Sequence, residues 1–192
     1  MAKPSTFLKI PKERVGVLIG PEGKTKKIIE EKLSVKLEIE GETGGVTLTL
    51  DEKTEDPSLL FKAKDVVTAI GRGFSPENAS RLIRDEEAIL DIIDLRTVFG
   101  RSESDITRVK GRIIGMGGKT RRIIEELTGT NVVVYGHTIS MIGDIEQAEA
   151  AREAIQMLVK GSLHSTVYRF LHRKRRELKK RKLELWEKPP EE

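Results

Sequence analysis

Two short glycine loops, each followed at once by lysine and threonine, are the segments with the clearest chemical use. One reads Gly20-Pro21-Glu22-Gly23 and the other reads Gly115-Met116-Gly117-Gly118. Two glycines three positions apart let the backbone turn tightly and leave no Cβ in the path of a sugar-phosphate chain. A helix predicted to begin after each loop adds unpaired N–H groups and the positive end of a dipole. Such a site suits phosphate groups.

Cations flank both loops, but the loops differ in charge. Lys24, Lys26 and Lys27 follow the first loop; Lys110 and Arg112 precede the second, and Lys119, Arg121 and Arg122 follow it. Glu22 puts a carboxylate where a phosphate would pass, and like charges there oppose binding. The second loop contains no acid. We therefore predict that the second loop is the principal phosphate-binding site.

The two loops belong to an internal repeat. Residues 16–31 align without a gap with residues 111–126, and ten of the sixteen positions are identical. The same order of elements is predicted around each loop. In the first copy we predict strands over 7–15, 35–40 and 46–50 and helices ending at Gly20 and over 24–33, 58–70 and 75–83. In the second copy we predict a strand over 88–98, two strands within 131–142, and helices over 105–114, 119–127 and 143–161. The order β-α-loop-α-β-β-α therefore occurs twice, which is an α+β fold.

Composition and charge narrow the function further. The chain has 192 residues, no cysteine and a net charge of +4. Residues 1–95 carry 15 Lys/Arg against 18 Asp/Glu, and residues 96–192 carry 20 against 13. A polyanion should prefer the second half.

The three histidines are scattered without metal-ligand spacing, so we expect neither a metal nor a cofactor. The scarcity of Asn and Gln suggests a thermophilic source.

Other glycine-loop functions fit poorly. A nucleotide-binding P-loop requires glycine five positions before the last loop glycine, where this chain has Leu18 and Ile113. The dinucleotide fingerprint has a different spacing. An alternative interpretation is that both loops are glycine-rich helix starts without a ligand. The second matching copy of the loop disfavours this alternative. No acidic pair, histidine constellation or nucleophile elbow stands out, so we expect a protein that is not an enzyme.

The segments VLIGPEGKTKKII (17–29) and RIIGMGGKTRRII (112–124) resemble the loop and flanking helices of KH domains. In that family the loop clamps the backbone of about four nucleotides of single-stranded RNA. The resemblance implies two tandem type I KH domains, each a three-stranded sheet packed against helices. It also implies a groove beside the second loop whose floor comes from Ile113, Ile114, Ile123 and Val132 to Val134. Ordinary core packing is the alternative for at least half of these floor residues.

The predicted RNA-binding residues fall into three sets. The principal set is Lys110, Arg112, Ile113, Ile114, Gly115, Met116, Gly117, Gly118, Lys119, Thr120, Arg121 and Arg122. The secondary set is Gly20, Pro21, Glu22, Gly23, Lys24, Lys26 and Lys27. The third set lies in a basic tail predicted to be helical: Arg173, Lys174, Arg175, Arg176, Lys179 and Lys180. For the tail, a solvated basic helix packed on the second domain is the alternative. We expect domains at 1–85 and 86–161 and a basic extension at 162–192.

The whole chain, most clearly the segment IIDLRTVFGRSESDITRVKGRIIGMGGKTRRIIE (92–125) with the basic tail, resembles a narrower family. It is similar to archaeal KH-domain proteins of small-subunit ribosome assembly, the counterparts of the eukaryotic partner-of-Nob family. The resemblance implies binding near the 3′ end of small-subunit ribosomal RNA during its maturation. It implies a PIN-type endonuclease and the alpha subunit of translation initiation factor two as partners. We expect a cytoplasmic protein that binds neither membrane nor DNA.

Two alternatives stay open at this point. One is a scaffold whose KH folds dock only proteins, and the other is a translation-linked RNA-binding factor of the same class. KH proteins of the exosome cap or of transcription elongation carry an additional S1-type barrel, for which this chain has no room.

Overall fold

A computed structural model describes residues 4–52, 54 and 56–187 of the chain. The chain separates into two compact units, Met1–Leu90 and Asp91–Glu192. Each unit contains one three-stranded sheet with helices packed against it, so the predicted α+β class is confirmed.

The first unit follows the predicted order of elements. Its strands are β1 (Ser5–Lys9), β2 (Val35–Glu40) and β3 (Gly45–Leu50), and its helices are α1 (Lys12–Ile19), α2 (Lys24–Leu33), α3 (Ser58–Gly71), α4 (Pro76–Ala79) and α5 (Arg81–Arg84). The strand order is β1-β3-β2, and both pairings are antiparallel. Val35 and Leu37 of β2 are buried while Lys36 and Glu38 between and after them are exposed, which is the period-two pattern of a half-buried strand.

The second unit repeats this order and adds a long helix. Its strands are β4 (Ile89–Asp94), β5 (Asn131–Tyr135) and β6 (Thr138–Gly143), and its helices are α6 (Arg96–Phe99), α7 (Glu103–Ile114), α8 (Lys119–Thr128), α9 (Ile145–Val159) and α10 (His164–Glu187). The strand order is β4-β6-β5. Asp144 and Gln147 form a reciprocal capping box at the start of α9, within the helix predicted over 143–161.

The opening strand of each unit is shorter than predicted. In the first unit the strand predicted over 7–15 ends at Lys9, because its partner β3 begins at Gly45, opposite Lys9. Pro11 has no N–H for the ladder, and it precedes the first turn of α1.

In the second unit the strand predicted over 88–98 ends at Asp94. The carboxylate of Asp94 accepts a 2.9 Å hydrogen bond from the Arg96 N–H, and its carbonyl accepts one of 2.7 Å from the Thr97 hydroxyl. These two bonds turn the chain out of the sheet and into α6.

The predicted C-terminal helix is observed as α10, and it packs against α8 and α9. Val167, Phe170 and Leu171 are buried in the same core cluster as Ile113, Ile124 and other residues of the second unit. The helix is therefore an integral part of the second unit's core. Residues 188–192 of the predicted extension lie outside the described residues.

Candidate nucleic-acid interface

The two glycine loops have nearly the same backbone. The φ angles at the first, third and fourth positions are 72°, 53° and 74° in Gly20, Glu22 and Gly23, and 72°, 58° and 77° in Gly115, Gly117 and Gly118. All three positions lie on the positive side of φ, where glycine is favoured. The sequence repeat thus corresponds to a repeated local structure.

The first glycine of each loop is required by packing. A Cβ on Gly20 would lie 2.2 Å from the Thr25 hydroxyl oxygen, and one on Gly115 would lie 2.3 Å from that of Thr120. The last glycine is different, since a Cβ on Gly23 or Gly118 would have no neighbour within 4 Å. The space beside the last glycine is therefore open to a ligand backbone.

Helices α2 and α8 begin directly after these open glycines, at Lys24 and Lys119. The first N–H groups of an α-helix have no partner within the helix, and together with the helix dipole they favour an anion at this end. The side chain of Lys119 is exposed. The structure therefore places an open backbone, a helix N-terminus and a cation at one position in each unit.

The second loop is surrounded by basic groups. Arg122 donates a 2.9 Å hydrogen bond from its Nη2 to the Gly117 carbonyl, and it remains exposed. Met116 at the tip of the loop is 93% exposed. A depression of about 460 Å³ beside the loop is bordered by Arg108 and Lys119 among others. This surface has the charge and the shape to hold a phosphate backbone.

The cations of the first loop are instead near carboxylates. The Lys24 Nζ lies 3.4 Å from the Glu22 carboxylate, and the Lys26 Nζ lies 3.9 Å from that of Glu30. Both carboxylates reduce the positive potential that a phosphate would meet. The difference in loop charge read from the sequence therefore extends to the ion pairs around the loops.

Profiles of known domains match both units. The profile of a eukaryotic-type KH domain (KH-domain type I), the second in PNO1, matches residues 89–176. The profile of the first KH domain of Krr1 matches residues 9–85. The solved structure of Dim2p from Pyrococcus horikoshii is 49% identical with a TM-score of 0.81, covering 89% of this chain and 99% of that one. The chain belongs to the PNO1/Dim2 family of KH-domain proteins.

Further similar proteins support this assignment. The KH domain-containing protein MJ0443 of Methanocaldococcus jannaschii is 50% identical over 95% of this chain and 79% of its own length. The same Dim2p in a complex with a/eIF2alpha and rRNA matches with a TM-score of 0.85, 48% identity and coverage of 91% and 96%. The RNA-binding protein PNO1 of Oryzias latipes is 34% identical over 73% of this chain. The chain spans only 58% of the length of that PNO1.

Within this KH fold, several residues predicted to contact RNA are buried. Ile113 and Val132 are completely buried in the core of the second unit, so their side chains cannot form the floor of an open groove. Ile123 and Val134 are partly buried and pack against the same core. Core packing, the alternative interpretation, therefore accounts for Ile113 and Val132, and the predicted groove contacts of Ile123 and Val134 stay predictions. Ile114 and Val133 keep part of their surface exposed.

Two polar residues of the predicted principal set also face inward. Thr120 is buried, and its hydroxyl shares a 2.9 Å hydrogen bond with that of Tyr168. Arg112 donates a 2.6 Å hydrogen bond to the Ser162 carbonyl, just beyond the end of α9. Both side chains help to join α7 and α8 to the chain around α10. Because they also border the depression beside the loop, their contact with RNA stays a prediction.

Helix α10 supports the second KH loop, a role that the sequence did not reveal. The His164 Nε2 donates a 2.9 Å hydrogen bond to the Arg112 carbonyl, near the end of α7. Tyr168 contacts Thr120 at the start of α8, and Thr120 in turn lies against Gly115. The sequence predicted a helical tail but could not identify which element it covers.

Replacing Tyr168 by Phe should weaken RNA binding by about two- to fivefold and lower the free energy of unfolding by about 1 kcal/mol. The substitution leaves the Thr120 hydroxyl buried without its partner, so the start of α8 is held less firmly. Isothermal titration with single-stranded RNA and urea denaturation measure the two effects. A double-mutant cycle with Thr120→Val is the control, and additive RNA affinities in that cycle would argue against positioning through this bond.

Replacing Glu22 by Gly should raise RNA affinity by about three- to tenfold and the free energy of unfolding by up to about 1 kcal/mol. The carboxylate is removed from the phosphate path, and a side chain leaves the left-handed region where only glycine is unstrained. Glu22→Gln is the matched control, because it removes the charge but keeps the strain. It should raise the affinity without raising the stability, and no gain in affinity for either variant contradicts the role assigned to the charge.

The cations of the tail are divided between two environments on α10. Lys174 lies 3.4 Å from the Glu153 carboxylate, and Arg173 lies 3.9 Å from that of Glu177. Arg175, Arg176 and Lys179 border one shallow depression together with His172. Lys180 is exposed on the same helix. The face formed by Arg175, Arg176 and Lys179 is the part of the tail best placed to meet a polyanion.

The described residues contain no cluster of three or more His, Asp or Glu side chains that could hold a metal ion. Within the same described ranges, no helix combines the length and the apolar character needed to cross a membrane.

Proposed function

We propose that this protein binds single-stranded RNA near the 3′ end of small-subunit ribosomal RNA and acts in maturation of the small subunit without catalysing a reaction. The observation that carries the proposal is the open Gly115–Gly118 loop at the N-terminus of α8, with exposed Lys119 and Arg122 beside it. Family membership supports it, since relatives are named as RNA-binding or pre-rRNA-processing proteins. Dim2p of Pyrococcus horikoshii has been crystallised with rRNA.

In this proposal the second loop is the principal site and the first loop is secondary. The principal contacts are the loop itself and the neighbouring side chains that keep exposed surface: Lys110, Arg112, Ile114, Gly115, Met116, Gly117, Gly118, Lys119, Arg121 and Arg122. We propose KH domains at 1–85 and 86–161 and a basic extension at 162–192 whose helix packs into the core of the second unit. The extension supplies further phosphate contacts from its basic face. We further propose that the protein acts in the cytoplasm.

Binding of short oligonucleotides to the full chain tests the proposal. A 12-nucleotide RNA with the pyrimidine-rich 3′ end of small-subunit RNA should bind at least about tenfold more tightly than a scrambled RNA of the same composition. It should also bind more tightly than the same sequence as DNA or within a duplex, because KH loops recognise unpaired strands. Equal affinity for the scrambled strand contradicts the assignment to the 3′ end, and no RNA binding at all contradicts the function.

We also propose that the protein associates with the alpha subunit of translation initiation factor two and with a PIN-type endonuclease. The first partner is supported by the complex of Dim2p with a/eIF2alpha, and the second by the resemblance to the partner-of-Nob family. Size-exclusion chromatography of the purified pairs tests each partner separately. Failure of a pair to co-elute removes that partner and leaves the RNA result unaffected.

Replacing Arg175, Arg176 and Lys179 together by Gln should reduce the slope of log affinity against log salt by about two. Each lost phosphate contact removes about 0.7 from the slope for a single strand. Arg181→Gln is the matched control from the same helix, because that guanidinium is already hydrogen-bonded to the Glu146 carboxylate at 2.9 Å. A triple variant with the wild-type slope would show that the basic face does not touch RNA.

A further inference from the structure

The first unit has an apolar groove that its RNA loop does not account for. It has a volume of about 500 Å³ and lies between α2, α3 and the α4–α5 segment. Ile28, Ile29, Ile70 and Ile83 contribute to its lining. Ile28 is 51% exposed, which is unusual for a large aliphatic side chain in a helix that packs on a core. The groove is a candidate interaction surface.

The internal repeat shows what covers the same surface in the second unit. There, α10 lies against α8 and α9, the helices that correspond to α2 and α3. Val167, Phe170 and Leu171 form a buried seam along α10, at the spacing of one helix face. The surface between these two helices of a KH unit is therefore suited to one amphipathic helix.

Matched positions in the two units show the consequence of the missing helix. Ile123 of α8 packs against the second core, whereas its counterpart Ile28 is mostly exposed. Thr120 is buried under Tyr168, whereas its counterpart Thr25 is only half-buried. The first unit thus keeps the apolar residues of the surface but has only the short α4–α5 segment beside it.

The charge around the groove defines the partner. Leu127 is buried in the second unit, but the matching position in the first unit is Lys32, which is exposed. Lys32 and Arg84 border the groove together with Glu77 and with Lys24, which is already paired with Glu22. A helix with acidic residues flanking its apolar seam would pair with these cations, whereas α10 of a second copy would bring more cations to them.

We propose that this groove binds an amphipathic α-helix of a partner protein, with an apolar seam and acidic flanks. The interaction uses the α2–α3 surface, so it is separate from the principal RNA site in the second unit. Pro21 and Lys24 of the secondary site also border the groove. Helix-in-groove recognition of this kind depends on apolar anchors at i, i+3, i+4 and i+7.

Two synthetic peptides test the proposal on the full chain. The first has the sequence of residues 164–181 with every Lys and Arg replaced by Glu, so it keeps the seam of α10 and reverses its charge. The second has the natural sequence of the same residues. The acidic peptide should bind with a Kd below about 100 μM and shift amide signals around Ile28 and Ile83, and the natural peptide should bind at least about tenfold more weakly.

Ile28→Asp should weaken binding of the acidic peptide by at least about tenfold. The matched control is Phe61→Asp, which changes another exposed apolar residue of the first unit that does not line the groove. The proposal would be overturned if the natural peptide bound as tightly as the acidic peptide. It would also be overturned if the amide signals shifted only on the basic face of α10. It would also be overturned if the 12-nucleotide RNA displaced the peptide from the groove. RNA affinity measured without peptide keeps these outcomes distinct from a failure of the proposed function.

Discussion

Replacing Gly117 and Gly118 by Asp should reduce the affinity for single-stranded RNA at least about a hundredfold. Two carboxylates would stand at the open side of the loop, where a phosphate approaches the start of α8. A like charge at this distance near a protein surface opposes binding by a few kcal/mol, and about 1.4 kcal/mol corresponds to a factor of ten. A Cβ at either position meets no protein atom, so the two substitutions should weaken RNA binding without disturbing the packing of the protein.

The chain provides a closely matched comparison for this variant. Gly23 has a φ of 74° and Gly118 one of 77°, and both precede the first residue of a helix. Gly118→Asp and Gly23→Asp therefore carry the same backbone strain, about 1 kcal/mol, and should lower stability equally. RNA affinity should fall at least about tenfold for Gly118→Asp and less than about threefold for Gly23→Asp.

Filter binding and thermal denaturation of both single variants measure these quantities. An equal loss of affinity would show that the first loop binds RNA as strongly as the second. An unchanged affinity in the double variant would remove Gly115–Gly118 from the interface altogether.

The repeat explains why so much of the fold could be predicted from the sequence. Ten identities in sixteen positions fixed the placement of both loops and of the helices on either side. The alternation of apolar and polar residues in β2 and the capping residues Asp144 and Gln147 of α9 are local patterns of the same kind. These features depend on neighbours along the chain, so a local pattern is enough to identify them.

The contacts that the sequence could not reveal join residues far apart in the chain. Arg112 appears as one more cation near a basic loop, and only the folded chain brings the Ser162 carbonyl to it. The same holds for Thr120, whose partner Tyr168 lies on α10. Periodicity also could not show which of the neighbouring isoleucines, Ile113 or Ile114, is buried. Their side chains point in different directions around α7, and only the folded chain shows which direction meets the core.

Comparison of the two repeats shows that backbone strain is present in the first unit. Glu22 and Ser34 are the only non-glycine residues with positive φ among the described residues, and both lie in the first unit. The second unit has Gly117 and Gly129 at the matching positions, with φ of 58° and 80°. The same backbone is therefore held in both units, and only the second has the residue type that adopts it without strain. A loop that carries both strain and an acid is consistent with a secondary role in RNA binding.

Replacing Leu171 by Ala should lower the free energy of unfolding of the second unit by about 2–5 kcal/mol. Leu171 is completely buried in the cluster that joins α10 to the core of this unit, and truncating a buried leucine leaves a cavity as well as losing apolar burial. Leu183→Ala on the same helix is the matched control, because Leu183 is 64% exposed and should change stability by less than about 0.5 kcal/mol.

Urea denaturation of the full chain distinguishes an integral α10 from a basic arm that merely follows the KH fold. If α10 completes the core, Leu171→Ala should also weaken RNA binding at temperatures where the variant begins to unfold. The reason is that α10 holds Thr120 beneath the second loop. If both leucine variants unfold at the wild-type urea concentration, α10 is only an appended basic helix. In that case the support of the loop by Tyr168 would have to be abandoned with it, since a helix that contributes no stability cannot fix the start of α8.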